Sequence, residues 1–178
     1  DDLIRHYTLS DTDLSIIRQR RGPANRLGFA VQLCYMRYPG VMLALDEEPF
    51  APLLRLVATQ LKVPLEAWAD YGQRAETRRE HLLELQSVFG FQPFTTRHYR
   101  PSVYSLDELA WQTDKGIVLA TALVGSLRRK SVLLPTPGVI ERICAEAITR
   151  ANRRIYDALA EPLSDTHRRR LDDLLKRR

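Results

Sequence analysis

The chain of 178 residues carries 27 lysines and arginines against 22 aspartates and glutamates, and 44% of its residues are hydrophobic. This composition is typical of a soluble globular protein, and no apolar run reaches the roughly 18 residues of a membrane helix, so no membrane partner is expected. The two cysteines, Cys34 and Cys144, lie in helical apolar patterns and are expected to be reduced thiols of a cytoplasmic protein. The cysteines and four histidines show no metal-ligand spacing, so the sequence predicts neither a metal site nor a cofactor.

Helix signals dominate the first half of the chain. Ser10 and Asp13 have the spacing of a capping box, in which a hydroxyl accepts a hydrogen bond from a backbone amide and an acid reaches back. Proline and glycine then mark the ends of further segments in which apolar residues recur every three or four positions. The pattern predicts four helices, at about residues 11–21, 23–38, 51–61 and 64–71.

Helix signals also dominate the second half of the chain. Thr77 and Glu80 form a second predicted capping box, the segment 95–104 is assigned to no element because Pro101 interrupts it, and residues 95–100 within it are expected to form a loop. The last helix is expected to turn Leu171, Leu174 and Leu175 inward. No alternation with a period of two is present, which predicts an all-α fold. The helices here are predicted at 77–89, 106–111, 115–130, 137–159 and 165–176.

The chain is predicted to hold two small helical subdomains in tandem, residues 1–73 and 74–178, each with a helix-turn-helix-like arrangement. Within residues 53–71, Ala58 permits a close helix crossing and Pro64 suits the first turn of a second helix. Lys62 occupies the turn position at which glycine is usual. Because the second helix carries two acids and no base, we expect a tri-helical fold here but not a base-reading helix.

The excess of positive charge is confined to the second half of the chain. Residues 1–75 hold nine lysines and arginines and nine acids, whereas residues 76–178 hold eighteen and thirteen. A basic half favours an anionic partner, for which double-stranded DNA is the usual candidate.

Candidate DNA-binding residues lie on the predicted helices of this basic half. Opposite the apolar stripe of the longest helix are Arg142, Arg150, Arg153 and Arg154, which suit phosphates and guanine edges. The alternative is a solvated face in which Glu146 pairs with Arg142 and Arg150. The end of the preceding helix supplies further candidates, although cations there also suit the helix dipole: Arg128, Arg129 and Lys130.

Three further groups of candidates lie elsewhere in the chain. Cations at a helix start oppose the local dipole and therefore suggest an external anion. A loop that mixes hydroxyls, bases and an aromatic ring suits backbone phosphates, as does a Gly-Pro turn flanked by bases. The helix start supplies the candidates Arg78, Arg79 and His81. The mixed loop supplies Arg97, His98 and Arg100, and the Gly-Pro turn supplies Arg20, Arg21, Asn25 and Arg26.

No arrangement of residues indicates catalysis. The segment 167–170 has the His-x-x-Arg spacing of tyrosine recombinases, but no tyrosine follows to serve as the nucleophile. No paired carboxylates lie on an apolar face that would hold Mg²⁺, and there is no glycine-rich phosphate loop. The sequence therefore predicts no catalytic residue and no stand-alone enzyme.

Four strings, in this order along the chain, carry a family resemblance. They are Asn-Arg-Leu-Gly-Phe-Ala-Val-Gln-Leu-Cys-Tyr at 25–35, Tyr-Gly-x-Arg-x-x-Thr-Arg-Arg-Glu-His at 71–81, Gln-Thr-Asp-Lys-Gly at 112–116 and Ile-Glu-Arg-Ile-Cys at 140–144. With them the whole chain strongly resembles the N-terminal domain of the Tn-three family transposases, the large enzymes of replicative, cointegrate-forming bacterial transposons.

The resemblance implies a function. In that family the N-terminal region binds the terminal inverted repeats, and an RNase-H-like Asp-Asp-Glu site lies far downstream, outside this chain. Two successive helical units similar to those of centromere protein B would fit the two predicted subdomains. The chain lacks an initial Met and is expected to be a fragment. The alternative role is a helical protein-interaction module that contacts a second transposase subunit at the synapse.

Overall fold

The computed structural model describes residues 2–44, 47–71, 75–161 and 163–176. These ranges contain no strand, only an isolated bridge between Gln92 and Val132, and the predicted all-α fold is confirmed. None of their helices has the length and apolar character needed to cross a membrane. Besides a 3₁₀ helix at Leu65–Asp70, they form α1 Asp2–Tyr7, α2 Asp11–Arg18, α3 Gly22–Arg37, α4 Ala51–Leu61, α5 Ala75–Phe89, α6 Thr96–Ser105, α7 Asp107–Gln112, α8 Gly116–Arg129, α9 Pro137–Ala160 and α10 Asp165–Leu175.

Local capping signals set several of these helix starts. The Ser10 hydroxyl accepts a hydrogen bond from the Asp13 amide at 3.2 Å, and the Asp13 carboxylate accepts one from the Ser10 amide at 2.8 Å, as the predicted capping box requires. Helices α3, α4 and α9 each place a proline in the first turn, where its missing N–H leaves no unmade bond. The Ser164 hydroxyl caps α10 by accepting from the His167 amide.

The second half differs from the prediction at two points. Helix α5 begins at Ala75, so Thr77 lies inside the helix and does not cap it. The segment expected to be a loop is helix α6, which contains Pro101. The Thr95 amide donates to His98 Nδ1 at 3.0 Å, which fixes the start of α6. Pro101 lies on the exposed side of this helix, and its ring nitrogen has no hydrogen to donate to the preceding turn.

The chain forms two compact units that interleave along the sequence. The first comprises residues 1–94 and 124–135, and the second comprises residues 95–123 and 136–178, so that α8 contributes to both. The boundary predicted between residues 73 and 74 lies outside the described residues, although α5 belongs to the first unit. The division into subdomains 1–73 and 74–178 stays a prediction.

The core of the first unit is built around α3. Nine of its sixteen residues are buried, and the helix packs against α2, α4, α5 and the 3₁₀ helix. Gly28 allows the closest of these approaches, because a Cβ atom there would lie 2.1 Å from the ring of the buried Tyr71. At the end of α3, Arg37 donates to both carboxylate oxygens of the buried Asp13, at 2.8 and 2.7 Å. The core thus fixes α3 by a steric fit near its middle and an ion pair at its C-terminal end.

The helix-turn-helix-like segment departs from a regular helix pair. Lys62 adopts the left-handed conformation, with φ of 56°, at the turn position at which glycine is usual. The short helix predicted at 64–71 is a 3₁₀ helix, which buries Ala67 and exposes Glu66. Its exposed acid and lack of bases agree with the expectation that it does not read DNA.

The second unit is organised by α9, which packs against α6 and α7. Its apolar stripe is buried at Ile143, Cys144, Ala147 and Ala151. The inward orientation predicted for the leucines of α10 is wrong, because Leu171, Leu174 and Leu175 are 48%, 65% and 75% exposed. An apolar stripe predicts burial only where another element covers it, and within the described residues of α10 none is buried.

We expect Gly28→Ala to lower the free energy of unfolding by about 1–3 kcal/mol, because the added methyl group overpacks the Tyr71 ring in the core. Gly138→Ala is the matched control. A Cβ atom at Gly138 meets nothing within 4 Å in the first turn of α9, so this change should be neutral or stabilising by about 0.4–1 kcal/mol. Urea denaturation measures both variants, and equal effects would contradict the close packing at Gly28.

The Asp13–Arg37 pair predicts a pH dependence. Burial raises the pKa of Asp13, but hydrogen bonds from Arg37 and Ser10 outweigh burial and hold the pKa below its usual value. A depressed folded-state pKa stabilises the fold above the unfolded pKa of about 3.9, and this contribution disappears as the pH falls through the folded-state pKa. Asp13→Asn should therefore lower the unfolding free energy at pH 7 by about 1.5–3 kcal/mol, as for a hydrogen bond between charged groups.

The difference between wild type and Asp13→Asn should shrink as the pH falls from 4 towards 2 in urea denaturation. Asp11→Asn removes an exposed carboxylate from the same helical turn and serves as the control. A difference between wild type and Asp13→Asn that stays constant across this pH range would show that the ion pair does not stabilise the fold.

Candidate nucleic-acid interface

Two residues predicted to bind DNA are buried in the first unit. Arg78 is 6% exposed, and its guanidinium lies 5.1 Å from the ring centroid of Tyr71 and 5.7 Å from that of Trp68. His81 is 7% exposed and lies edge-on to Phe29, with its Nδ1 atom 3.3 Å from the Tyr71 hydroxyl. Burial lowers the pKa of His81, and the nearby Arg20 lowers it further. Both side chains pack in the core, which leaves them little surface to offer to DNA.

A second pair of candidates supports the turn between α2 and α3. Arg20 forms an ion pair with Glu84, and its guanidinium lies 5.0 Å from the centroid of the Phe29 ring. The Arg26 Nε atom donates a hydrogen bond to the Arg20 carbonyl oxygen at 2.9 Å. Both arginines therefore have partners within the protein, and their first role is to hold this turn.

The same turn also exposes a cation. Arg21 is the exposed N-cap residue of α3, and its carbonyl oxygen accepts a hydrogen bond from Asn25 Nδ2 at 3.1 Å. Arg79 is likewise exposed, although the adjacent Arg78 of α5 is buried. Arg21 and Arg79 remain available to an external anion.

The cations at the end of α8 also differ in whether they have a partner within the protein. Arg128 donates from Nε to the Pro39 carbonyl oxygen at 2.6 Å, and its guanidinium lies 4.4 Å from the centroid of the Tyr38 ring. The next two residues, Arg129 and Lys130, are exposed. The structure thus assigns Arg128 a place in the first unit and leaves its two neighbours at the surface.

On α9, the partner of Arg150 differs from the one that sequence spacing suggested. Arg150 donates two hydrogen bonds of 3.3 Å to Asp107 of α7, and its guanidinium lies 4.6 Å from the centroid of the Tyr104 ring. The expected pair with Glu146 is replaced, because α7 brings a carboxylate and an aromatic ring against this side of α9. Arg150 joins the helices of the second unit.

The two arginines that follow on α9 are less firmly held. Arg154 lies 5.2 Å from the centroid of the Trp111 ring, and its NH1 atom is 4.0 Å from an Asp107 carboxylate oxygen. Arg153 is 84% exposed, and its Nε atom is 4.0 Å from a carboxylate oxygen of Asp157, which is also exposed. An exposed pair of this kind contributes little to stability, so Arg153 can exchange its partner for a phosphate.

The remaining candidates lie on α6 and at the start of α9. Arg97 and Arg100 are exposed on α6, and their predicted location in a loop is wrong. His98 caps the start of the same helix through its contact with Thr95. Arg142 is exposed on α9 and donates from Nε to the Gly138 carbonyl oxygen at 3.3 Å.

These placements sort the candidates by their partners. Across the part of the chain that the structure describes, no carboxylate forms an ion pair with the following exposed cations: Arg21, Arg79, Arg129 and Lys130 in the first unit, and Arg97, Arg100 and Arg142 in the second. A further exposed run was not among the candidates, although three consecutive arginines were the signal for it: Arg168, Arg169 and Arg170 on α10.

The described residues show no arrangement suited to a metal. No group of three or more histidines, cysteines or acids among them comes close enough to hold an ion. Cys34 and Cys144 are both free and buried, and burial raises the pKa of the Cys34 thiol to about 12. These thiols are therefore protonated and unreactive at neutral pH.

Comparison with known proteins gives matches over nearly the whole chain. The family described as Domain of unknown function (DUF4158) matches residues 1–147. The transposase for transposon Tn21 of Escherichia coli is 75% identical over all 178 residues, and that for Tn501 of Pseudomonas aeruginosa is 55% identical over 99% of the chain. The transposase for Tn1546 of Enterococcus faecium is 30% identical over 96% of it.

These relatives are much longer proteins, since the chain spans only 17% or 18% of their lengths. The matches confirm the resemblance that the four sequence strings carried. The chain belongs to the DUF4158 family and corresponds to the N-terminal region of a Tn-three family transposase.

Proposed function

We propose that the chain binds double-stranded DNA in a sequence-specific manner, at the terminal inverted repeats of a transposon. The observation that supports this most directly is the set of exposed arginines and lysines that have no carboxylate partner among the described residues. Phosphates that bind such side chains release their condensed counterions, which drives association without breaking any ion pair in the protein.

The relatives support the same proposal. They are named as transposases, and a transposase must bind the ends of its transposon before it cuts a strand. We assign the phosphodiester chemistry to the rest of the transposase, because this chain matches only 18% of the relatives and its described residues contain no group of three or more histidines, cysteines or acids that could hold a metal ion. The fragment itself is proposed to be a binding module and not an enzyme.

A second function is favoured by exposed apolar residues of the second unit. Trp111 of α7 is 45% exposed beside Arg154, and Leu159 near the end of α9 is exposed as well. Exposed tryptophans beside arginines are common in protein interfaces. This surface fits a contact with a second transposase subunit, and such a contact is compatible with DNA binding elsewhere in the chain.

Binding to DNA should depend steeply on salt. We expect the 178-residue chain to prefer a terminal inverted repeat to a scrambled repeat, with log affinity falling linearly as log salt concentration rises. In Arg129→Gln/Lys130→Gln, that slope should become shallower by about 2, because two phosphate contacts are lost. Fluorescence anisotropy across a salt series measures both slopes.

The control removes the same charge from another place. Arg18 and Arg55 are exposed residues outside the candidate set, so Arg18→Gln/Arg55→Gln should leave the slope nearly unchanged. If the wild-type chain shows no preference for the repeat and only a weak salt dependence, the protein-interaction function is the better account.

A further inference from the structure

Helix α6 presents one continuous exposed face. Thr96, Arg97, Arg100, Pro101 and Tyr104 are all exposed, and their positions fall on one side of a helix with 3.6 residues per turn. The opposite side is buried at Ser102 and Val103, and α6 packs against both α7 and α9. The exposed face therefore belongs to a helix that the rest of the unit holds in place.

This face is cationic, and α6 contains no acid at all. Arg97 and Arg100 are three residues apart, so their side chains are neighbours on the helix surface. Tyr99 lies between the two arginines in sequence, and Glu146 of α9 is close enough to it to raise the pKa of its hydroxyl, after the larger effect of desolvation. Arg142 of α9 is close enough to Tyr99 to affect its electrostatics, and it adds a third cation beside the N-terminal half of α6.

The exposed cations of α5, α8 and α9 are less suited to reading bases. On α5, Arg79 is flanked by the exposed acids Glu76 and Glu80, which a nucleic acid would repel. On α9, Arg153 faces Asp157. Arg129 ends α8 and is followed by a turn, a position that suits phosphate contact more than insertion of a helix into a groove.

We propose that α6 is the helix that enters the major groove, with Arg97 and Arg100 as the residues that read guanine. A guanidinium can donate two parallel hydrogen bonds to O6 and N7 of guanine, and the N-terminal residues of recognition helices commonly make such contacts. Arg142 contacts the adjacent phosphate. The base contacts fall in the first half of α6, where both arginines lie, because the Tyr104 ring in the second half already contacts the Arg150 guanidinium. This assignment rests on the proposed function.

The test replaces single guanines of a terminal inverted repeat by 7-deazaguanine, which lacks the N7 acceptor. The wild-type chain should lose about 5- to 150-fold in affinity at one or two guanines. Arg97→Gln and Arg100→Gln should each bind the unmodified repeat more weakly, and each should no longer respond to 7-deazaguanine at its own position. This loss of response identifies which arginine reads which base.

Two further variants separate charge from geometry. Arg100→Lys keeps the charge but loses the planar fork, so its response to 7-deazaguanine should be smaller than that of the wild type while its salt dependence stays the same. Arg142→Gln should weaken binding to every repeat by the same factor and keep every response. All four changes are at exposed positions, and unchanged thermal unfolding monitored by circular dichroism verifies the fold.

The outcomes distinguish this proposal from the proposed function. If the chain prefers the repeat but Arg97→Gln and Arg100→Gln keep every response of the wild type, α6 does not read the bases, although DNA binding stands. A wild-type chain that responds at no guanine leads to the same conclusion. If the chain does not bind the repeat at all, both proposals fail.

Discussion

Groups within the protein and external ligands compete for the arginine side chains of this protein, and the outcome sets which arginines can bind a ligand. A guanidinium that lies over an aromatic ring and donates to a carbonyl or carboxylate group, as in Arg128 and Arg150, is already bound and already partly stripped of water. A guanidinium that meets only solvent, as in Arg97 and Arg100, keeps all five donors for an external acceptor. The fold therefore decides which arginines contribute to the structure and which remain available to a ligand.

The helices were predictable wherever a local signal marks their ends, and the site was predictable only in part. Ser10 with Asp13 and the prolines in the first turns of α3, α4 and α9 act within one helical turn, so sequence alone reveals them. Pro101 does not end α6, because a proline on the exposed side of a helix removes one hydrogen bond without ending the helix. The burial of Arg78 depends on rings that tertiary packing brings to it.

Partners distant in sequence explain the other departures. Arg150 has a suitable acid four residues before it, yet it binds Asp107, which lies 43 residues away along the chain. The leucines of α10 form a regular apolar stripe and are nonetheless exposed. In both cases periodicity groups the residues of one helix face, but the element opposite that face decides whether a side chain is paired, buried or exposed to solvent.

The division of α8 between the two units has a consequence for how the protein matures on the ribosome. Val132 and Leu133 are buried, and the Leu133 amide donates to the Gln92 carbonyl oxygen within the first unit. The ribosome must therefore synthesise residues 95–123 of the other unit before it supplies this closing segment. The N-terminal unit cannot finish folding as it emerges, and a peptide that stops after residue 94 would leave apolar side chains uncovered for chaperones and proteases to find.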